Sequence, residues 1–256
     1  MSRIVKPIIF DYNTNKRLIE DLVKEYPFLK VDISGRTVLG RGIFSFSLGS
    51  LHNSVIIAGG FEGSDGTSPL LLYMFIEDVC RSIKEKRDLC GVNIRRALSQ
   101  LGITVIPSVN PDGREINLYG TEGAKSLRKF ISTIGSGDYS FWQSNARGVD
   151  IRKNFSTGFE DFQKKNMENG ITGPFSTDFA GEYPESELMS KIIAQGCYYP
   201  LLQTEDENIC GFPAWFSKEF SKPSFELKAG EPDSAYSDCD KIYERVKEAL
   251  TVFSLM

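Results

Sequence analysis

Residues 54–80 read SVIIAGGFEGSDGTSPLLLYMFIEDVC, and this stretch decides the fold class of the chain. Residues 54–58 form a short continuous apolar run, which is typical of a strand covered on both faces. The glycine-rich residues 59–66 predict a turn, and Ser68-Pro69 predicts a helix start, because serine caps helices and proline suits their first turn. Apolar side chains at helical spacing follow. The stretch therefore predicts a strand, a loop and a helix in succession.

The alternation of strands and helices continues on both sides of this stretch. The further predicted elements are a helix over 14–26 capped by Asn13 or Thr14, a strand over 41–48, a helix over 94–101, a strand over 103–106 and a helix over 238–253. This order indicates an α/β protein with a largely parallel sheet and helices on both sides. In such sheets, ligands lie beyond the carboxyl ends of the strands.

The composition is that of a soluble globular protein. Of 256 residues, 41% are apolar and 25% are charged, with a net charge of −4. Lys and Arg are spread along the chain, so neither nucleic acid nor a membrane surface is an expected partner. Residues 1–7 contain no apolar stretch of signal-peptide length, and no apolar run approaches about 18 residues, so we expect a cytoplasmic protein. The oligomeric state is not determined by these features.

Histidine and cysteine usage limits the chemistry. The chain has a single histidine, His52, which we expect on a surface loop rather than in a metal site. The five cysteines are odd in number and lack C-x-x-C spacing, so free thiols are expected (Cys80, Cys90, Cys197, Cys210 and Cys239). A cysteine hydrolase is excluded because no thiol has a histidine partner nearby in the sequence.

Three separated segments carry a family pattern: GGFEGSD at 59–65, PSVNPDG at 107–113 and NARGVDIRKNF at 145–155. Shorter pieces lie around them in the same order: Tyr26-Pro27, Leu39-Gly40-Arg41, AGEYPESE at 180–187 and KPSF at 222–225. Together they resemble the zinc carboxypeptidase family, and most closely its bacterial branch that cleaves γ-D-glutamyl-diamino-acid peptides of peptidoglycan. The resemblance implies one domain over 1–256, with three layers, α/β/α, around a mixed, largely parallel sheet. Independently of the resemblance, Asn-Pro-Asp-Gly predicts a tight turn after a strand that ends at Val109.

The resemblance also implies positions for metal ligands, and this chain departs from them. In the family the first loop carries a histidine and, three residues on, a glutamate; here these are Glu62 and Asp65. The third ligand is a histidine on a later strand, but no histidine follows His52. Either Gln203 now occupies that position or the strand has been deleted. Two carboxylates without imidazole make a poor zinc site, so no zinc is expected here.

The general-base position of the family is also changed. Without gaps, the family's glutamate corresponds to Lys228, and Glu226 could replace it only if the strand slipped by two residues. A lysine with an ordinary pKa cannot take a proton from water at pH 7. Lys228 could instead place an ammonium in the vacated metal position; the alternative is drift onto a solvated rim.

The substrate-facing Asn-Arg pair of the family is Arg152-Lys153 here, and Gln143 stands where the family carries a cation after a tryptophan. Arg152 and Lys153 either bind a carboxylate or are two solvated cations on a loop.

Two hypotheses on the function of the protein follow. The first is a non-catalytic protein that binds a peptide or amino-acid carboxylate. The alternative is an active peptidase or amidase acting on γ-D-glutamyl peptides, with an oxygen-liganded ion held by Glu62, Asp65 and Glu205 or Asp206.

Overall fold

A computed structural model describes residues 3–50, 52, 54–182, 211–222, 224, 227 and 236–255. The strands in this part are β1 (Lys30–Arg36), β2 (Gly42–Gly49), β3 (Ser54–Ala58) and β4 (Gly102–Ile106). The helices are α1 (Tyr12–Glu25), α2 (Thr67–Glu85), α3 (Ile94–Leu98), α4 (Pro111–Tyr119), α5 (Arg128–Ile134), α6 (Phe159–Glu168), α7 (Phe212–Phe220) and α8 (Cys239–Leu255). Short 3₁₀ turns lie at Gly120–Glu122, Lys125–Leu127 and Tyr236–Asp238.

The described strands form one mixed sheet in the order β1-β2-β4-β3. β3 and β4 run parallel, in register from Ser54 opposite Gly102 to Ala58 opposite Ile106. The crossover through α2 and α3 makes this parallel pairing possible. β2 pairs antiparallel with both β1 and β4. The mixed sheet is confirmed, but among the described strands the parallel part is the β3–β4 pair.

Helices cover both faces of the sheet, as predicted. Along β4, Ile103 and Val105 face a core built with α1, α2 and α8, whereas Ile106 faces the opposite core. This split follows from the two-residue repeat of side chains along a strand. In the second core, Trp215 and Phe216 of α7 pack with Ile106. Full burial of each large apolar side chain contributes about 1.5–3 kcal/mol.

Several predicted boundaries differ from the structure. The cap of α1 is Asp11, not Asn13 or Thr14, because the Asp11 carboxylate accepts from Thr14 N at 2.6 Å. β1, α6 and α7 were not expected. In the sequence of β1, KVDISGR, Val31 and Ile33 alternate with polar residues, but two apolar residues are a weak signal, and the strand buries neither face fully.

The tight turn predicted at Asn-Pro-Asp-Gly was wrong. Asn110 is the N-cap of α4, Pro111 is the first helical residue, and Asn110 Oδ1 accepts from Gly113 N at 2.9 Å. Asparagine and proline favour helix starts as much as turns, because one caps a free amide and the other needs none.

Two acidic residues of α2 tie the chain termini to this central helix. The buried Glu77 carboxylate accepts from Ile4 N and Val5 N, each at 2.9 Å. Asp78 accepts from Arg3 at 2.8 Å and from the Tyr243 hydroxyl of α8 at 2.9 Å. These contacts join the second half of α2 to residues 3–5 and to α8.

Among the residues that the structure describes, no helix combines the length and apolar character needed to cross a membrane. Cys80, Cys90 and Cys239 are free thiols there, as expected, whereas Cys197 and Cys210 lie outside the described residues.

Candidate active site

The site lies where β3 ends and residues 59–66 lead into α2. Val109 N donates to Gly59 O at 3.0 Å and Asn110 N donates to Gly60 O at 2.8 Å, so the loop lies against the segment after β4. A Cβ at Gly63 would come within 2.5 Å of the Gly113 carbonyl oxygen, so only glycine allows this approach. The loop therefore holds Glu62 and Asp65 beyond the carboxyl ends of the parallel strands.

Asp65 holds the start of α2. Its Oδ1 accepts from Thr67 N at 3.1 Å and from Ser68 N at 2.9 Å, and its Oδ2 accepts from the Ser68 hydroxyl. These are the free amides of a helix N-terminus, where a carboxylate is favoured. Ser68 was expected to be the cap, but it lies inside the helix and donates to Asp65.

Glu62 has a different partner. Its carboxylate forms an ion pair with the Arg152 guanidinium, and Ser64 Oγ lies 3.4 Å from Oε2. Burial raises the pKa of Glu62; Arg152 opposes this shift, while the nearby carboxylates of Asp150 and Asp65 add to it.

Arg152 is held from two further sides. Its Nη2 lies 3.2 Å from Asp150 Oδ2 and 3.3 Å from Gln143 Oε1. Asp150 is 1% exposed, so its charge is compensated within the protein. Gln143 Oε1 also accepts from the Thr177 hydroxyl at 2.6 Å, which fixes the orientation of the amide. Burial acts to lower the pKa of Arg152, but Asp150 and Glu62 outweigh it and raise the pKa.

Lys153 also has carboxylate partners. Its ammonium forms an ion pair with Asp178 and lies 3.6 Å from Asp150 Oδ2. It also lies 5.7 Å from the centroid of the Phe162 ring. Arg152 and Lys153, predicted to bind a ligand carboxylate, therefore share three carboxylates of the chain itself: Glu62, Asp150 and Asp178.

Five other predicted site residues lie outside the part of the chain that the structure describes. Lys228 at the general-base position and Gln203 at the third-ligand position lie outside the described residues. Glu226, Glu205 and Asp206 do so as well. The proposed contact of Lys228 with the acidic pair stays a prediction.

The described donor set does not fit zinc. Glu62 and Asp65 are engaged by a guanidinium and by helix amides, and within the described ranges no three His, Cys, Asp or Glu side chains are grouped to hold a metal. The single histidine, His52, lies just before β3, at the opposite end of the strand from the site. A five-residue strand spans about 16 Å, which is far beyond a coordination distance.

Sequence reasoning missed Arg114 and Asp150. Arg114 is buried and donates to the carbonyl oxygens of Phe10 at 2.8 Å, Gly63 at 3.1 Å and Ser64 at 3.2 Å, and also to the Tyr236 hydroxyl. Arg114 therefore stabilises the glycine-rich loop through hydrogen bonds to two of its backbone carbonyl oxygens. Its place directly after Asn-Pro-Asp-Gly was the available signal, but that segment was interpreted as a turn.

Comparison with known proteins identifies the family of this chain. The model of the zinc carboxypeptidase family matches residues 16–204. This match covers more than half of the chain, and the chain therefore belongs to the zinc carboxypeptidase family. The predicted resemblance is confirmed.

Several relatives and solved structures are similar to the chain. Gamma-D-glutamyl-L-diamino acid endopeptidase 1 of Lysinibacillus sphaericus is 23% identical, over 95% of this chain and 71% of the relative. The uncharacterized protein YqgT of Bacillus subtilis (strain 168) is 25% identical over 73% of this chain, which spans only about half (51%) of that relative. Bovine thrombin-activatable fibrinolysis inhibitor, in complex with tick carboxypeptidase inhibitor, has a TM-score of 0.65 at 15% identity, covering 95% of both chains. At this identity the structural likeness shows the fold alone.

Proposed function

We propose that this protein is a non-catalytic member of the zinc carboxypeptidase family. The observation that carries this proposal is the ion pair between Glu62 and Arg152. A carboxylate at the first ligand position is neutralised by a side chain of the same protein, and a guanidinium there would repel a divalent cation.

The chemistry of the family depends on that cation. When bound, zinc supplies an activated water and stabilises the oxyanion. In this chain Arg152 instead orients Glu62, and Asp65 holds the start of α2. With Lys228 at the general-base position, the sequence also lacks an ordinary proton acceptor there. The proposal therefore combines the loss of the metal with the loss of the base.

The ligand class that we propose is a peptide or amino-acid carboxylate. The Arg152 side chain is 41% exposed, so part of this side chain is accessible from solvent. A ligand would have to compete with Glu62 and Asp150 for Arg152, and with Asp178 for Lys153. We therefore expect weak binding of such a ligand. From the sequence we also propose a role in the cytoplasm, with neither nucleic acid nor a membrane as partner.

The second candidate is an active peptidase or amidase acting on γ-D-glutamyl peptides through an oxygen-liganded ion. The observation that favours it is the endopeptidase of L. sphaericus, whose match extends over 95% of this chain. It requires Glu62 to release Arg152 and accept a metal, together with ligands such as Glu205 or Asp206.

Peptide hydrolysis separates the two candidates. The purified chain is incubated with a γ-D-glutamyl-L-diamino-acid peptide in the presence of zinc or manganese, with and without a chelator. The L. sphaericus endopeptidase serves as the positive control. We expect no turnover above background. Turnover that the chelator abolishes would refute the proposal and support the second candidate.

A further inference from the structure

We infer that the Arg152 guanidinium has taken the place of the divalent cation, and that residues 62, 143 and 152 form one coupled replacement. This inference deepens the proposed function and rests on it. It assigns to an arginine on the loop after Asp150 the role that sequence analysis gave to Lys228.

The first step is geometric. One guanidinium reaches Glu62, Asp150 and Gln143, with Nη1 directed to Glu62 and Nη2 to Asp150 and Gln143. A guanidinium carries five donors in a rigid planar fork, so it can satisfy several oxygen acceptors at once. Like a bound cation, it connects the glycine-rich loop to the segments around residues 143 and 150.

The second step concerns which residues changed. Two of the three acceptors around Arg152 differ from the residues that the family resemblance implies. Glu62 stands where the resemblance implies a histidine, and Gln143 stands where it implies a cation. A lysine or arginine at 143 would place a positive charge against Arg152, whereas the glutamine carbonyl accepts its hydrogen bond. We therefore expect each substitution to be favourable only with the others present, so that the stability changes of the variants are not additive.

The third step concerns the charge left behind without Arg152. Asp150 is almost fully buried, and its remaining described contacts are Arg152 N at 3.2 Å and the Lys153 ammonium at 3.6 Å. Glu62 would then lie near the carboxylates of Asp150 and Asp65 without the guanidinium that pairs with it. Removing Arg152 leaves Glu62 without a cationic partner and Asp150 with Lys153 alone, which destabilises the fold.

A double-mutant cycle tests the coupling. Arg152→Gln, Glu62→Gln and the double variant are compared with the wild type by thermal unfolding. We expect Arg152→Gln to lower the Tm by about 5 °C and the double variant to recover at least half of this loss. Arg128→Gln, which removes an exposed pair with Glu122, is the control and is expected to change the Tm by less than about 2 °C.

Calcium distinguishes a cation substitute from an ordinary ion pair. Millimolar calcium is expected to raise the Tm of Arg152→Gln but not that of the wild type, because oxygen ligands freed at Glu62 and Asp150 suit a hard ion. Additive Tm changes in the cycle, or coupling without a calcium response, would overturn the inference. If Arg152→Gln does not fold, the double variant must fold where the single variant does not, and millimolar calcium must restore the fold of Arg152→Gln; failure of either would overturn the inference.

The wild type with zinc separates this inference from the proposed function. A zinc-dependent rise in the wild-type Tm would refute the proposed function itself. No zinc response in the wild type, combined with additivity in the cycle, would leave the proposed function standing and refute only the role of Arg152.

Discussion

Two carboxylates only three residues apart perform different tasks. Asp65 accepts from helix amides, whereas Glu62 pairs with Arg152. The two different partners follow from the position of each carboxylate on the loop. Asp65 lies directly before α2 and reaches its free amides, while Glu62 points to the segment that follows Asp150.

The role of Asp65 leads to a matched pair of variants. Asp65→Ala is expected to destabilise the fold by about 1 kcal/mol, because the amides of Thr67 and Ser68 lose their acceptor. Asp65→Asn keeps an acceptor and removes the charge, so it should retain most of the stability. Urea denaturation measures both. Equal losses in the two variants would show that the charge, not the cap, is what matters at this position.

The sequence indicated the site residues more readily than their partners. Glu62, Arg152 and Gln143 could be singled out because each departs from a recognisable pattern. Their mutual contacts could not be predicted, because they depend on how the loop after Asp150 approaches the loop after β3. From the resemblance alone, Lys228 was either a replacing cation or a residue on a solvated rim, and Arg152 was either a binder of an external carboxylate or a solvated cation.

At the scale of elements, the start of α4 connects the fold to the site. Asn110 is 2% exposed; its Oδ1 caps the helix, and its Nδ2 donates to Phe61 O at 3.0 Å and to Gln143 O at 3.1 Å. One side chain therefore joins α4, the glycine-rich loop and the residue that orients Arg152.

Asn110→Ala should destabilise the protein by about 2–3 kcal/mol, since it removes the cap, takes the donor from Phe61 O and leaves Gln143 O with Gly63 N alone. The matched control is Asn93→Ala, because Asn93 is an exposed N-cap that accepts only from Arg96 N at 3.0 Å. That control should lose about 1 kcal/mol. Equal losses in chemical denaturation would show that the contacts of Asn110 Nδ2 contribute nothing to stability.

Elements whose sequences are rich in apolar residues were predictable, and weakly buried elements were not. β3, β4 and α2 are apolar because both the strands and this central helix are covered by other layers. β1 contains only two large apolar residues, Val31 and Ile33, because much of the strand is exposed, and its antiparallel pairing with β2 became visible only in the structure. The turn predicted at residue 110 failed because helix starts and turns use the same residue types.

At the scale of the whole molecule, the family fold is retained while the described part of the site has changed. The sheet, the glycine-rich loop and the capped α4 follow from apolar patterning and from glycines that allow close backbone approach. None of these features requires a metal. A fold can therefore persist after its site changes, and family membership alone does not establish the activity.

The zinc content of the purified chain most directly tests the proposal that this protein has lost the metal of its family. The protein is stripped with a chelator, incubated with zinc, desalted and measured by elemental analysis, with the L. sphaericus endopeptidase treated in parallel. We predict far less than one zinc per chain, because Arg152 neutralises the carboxylate at the first ligand position. One tightly held zinc per chain would contradict the replacement of the metal by an internal ion pair.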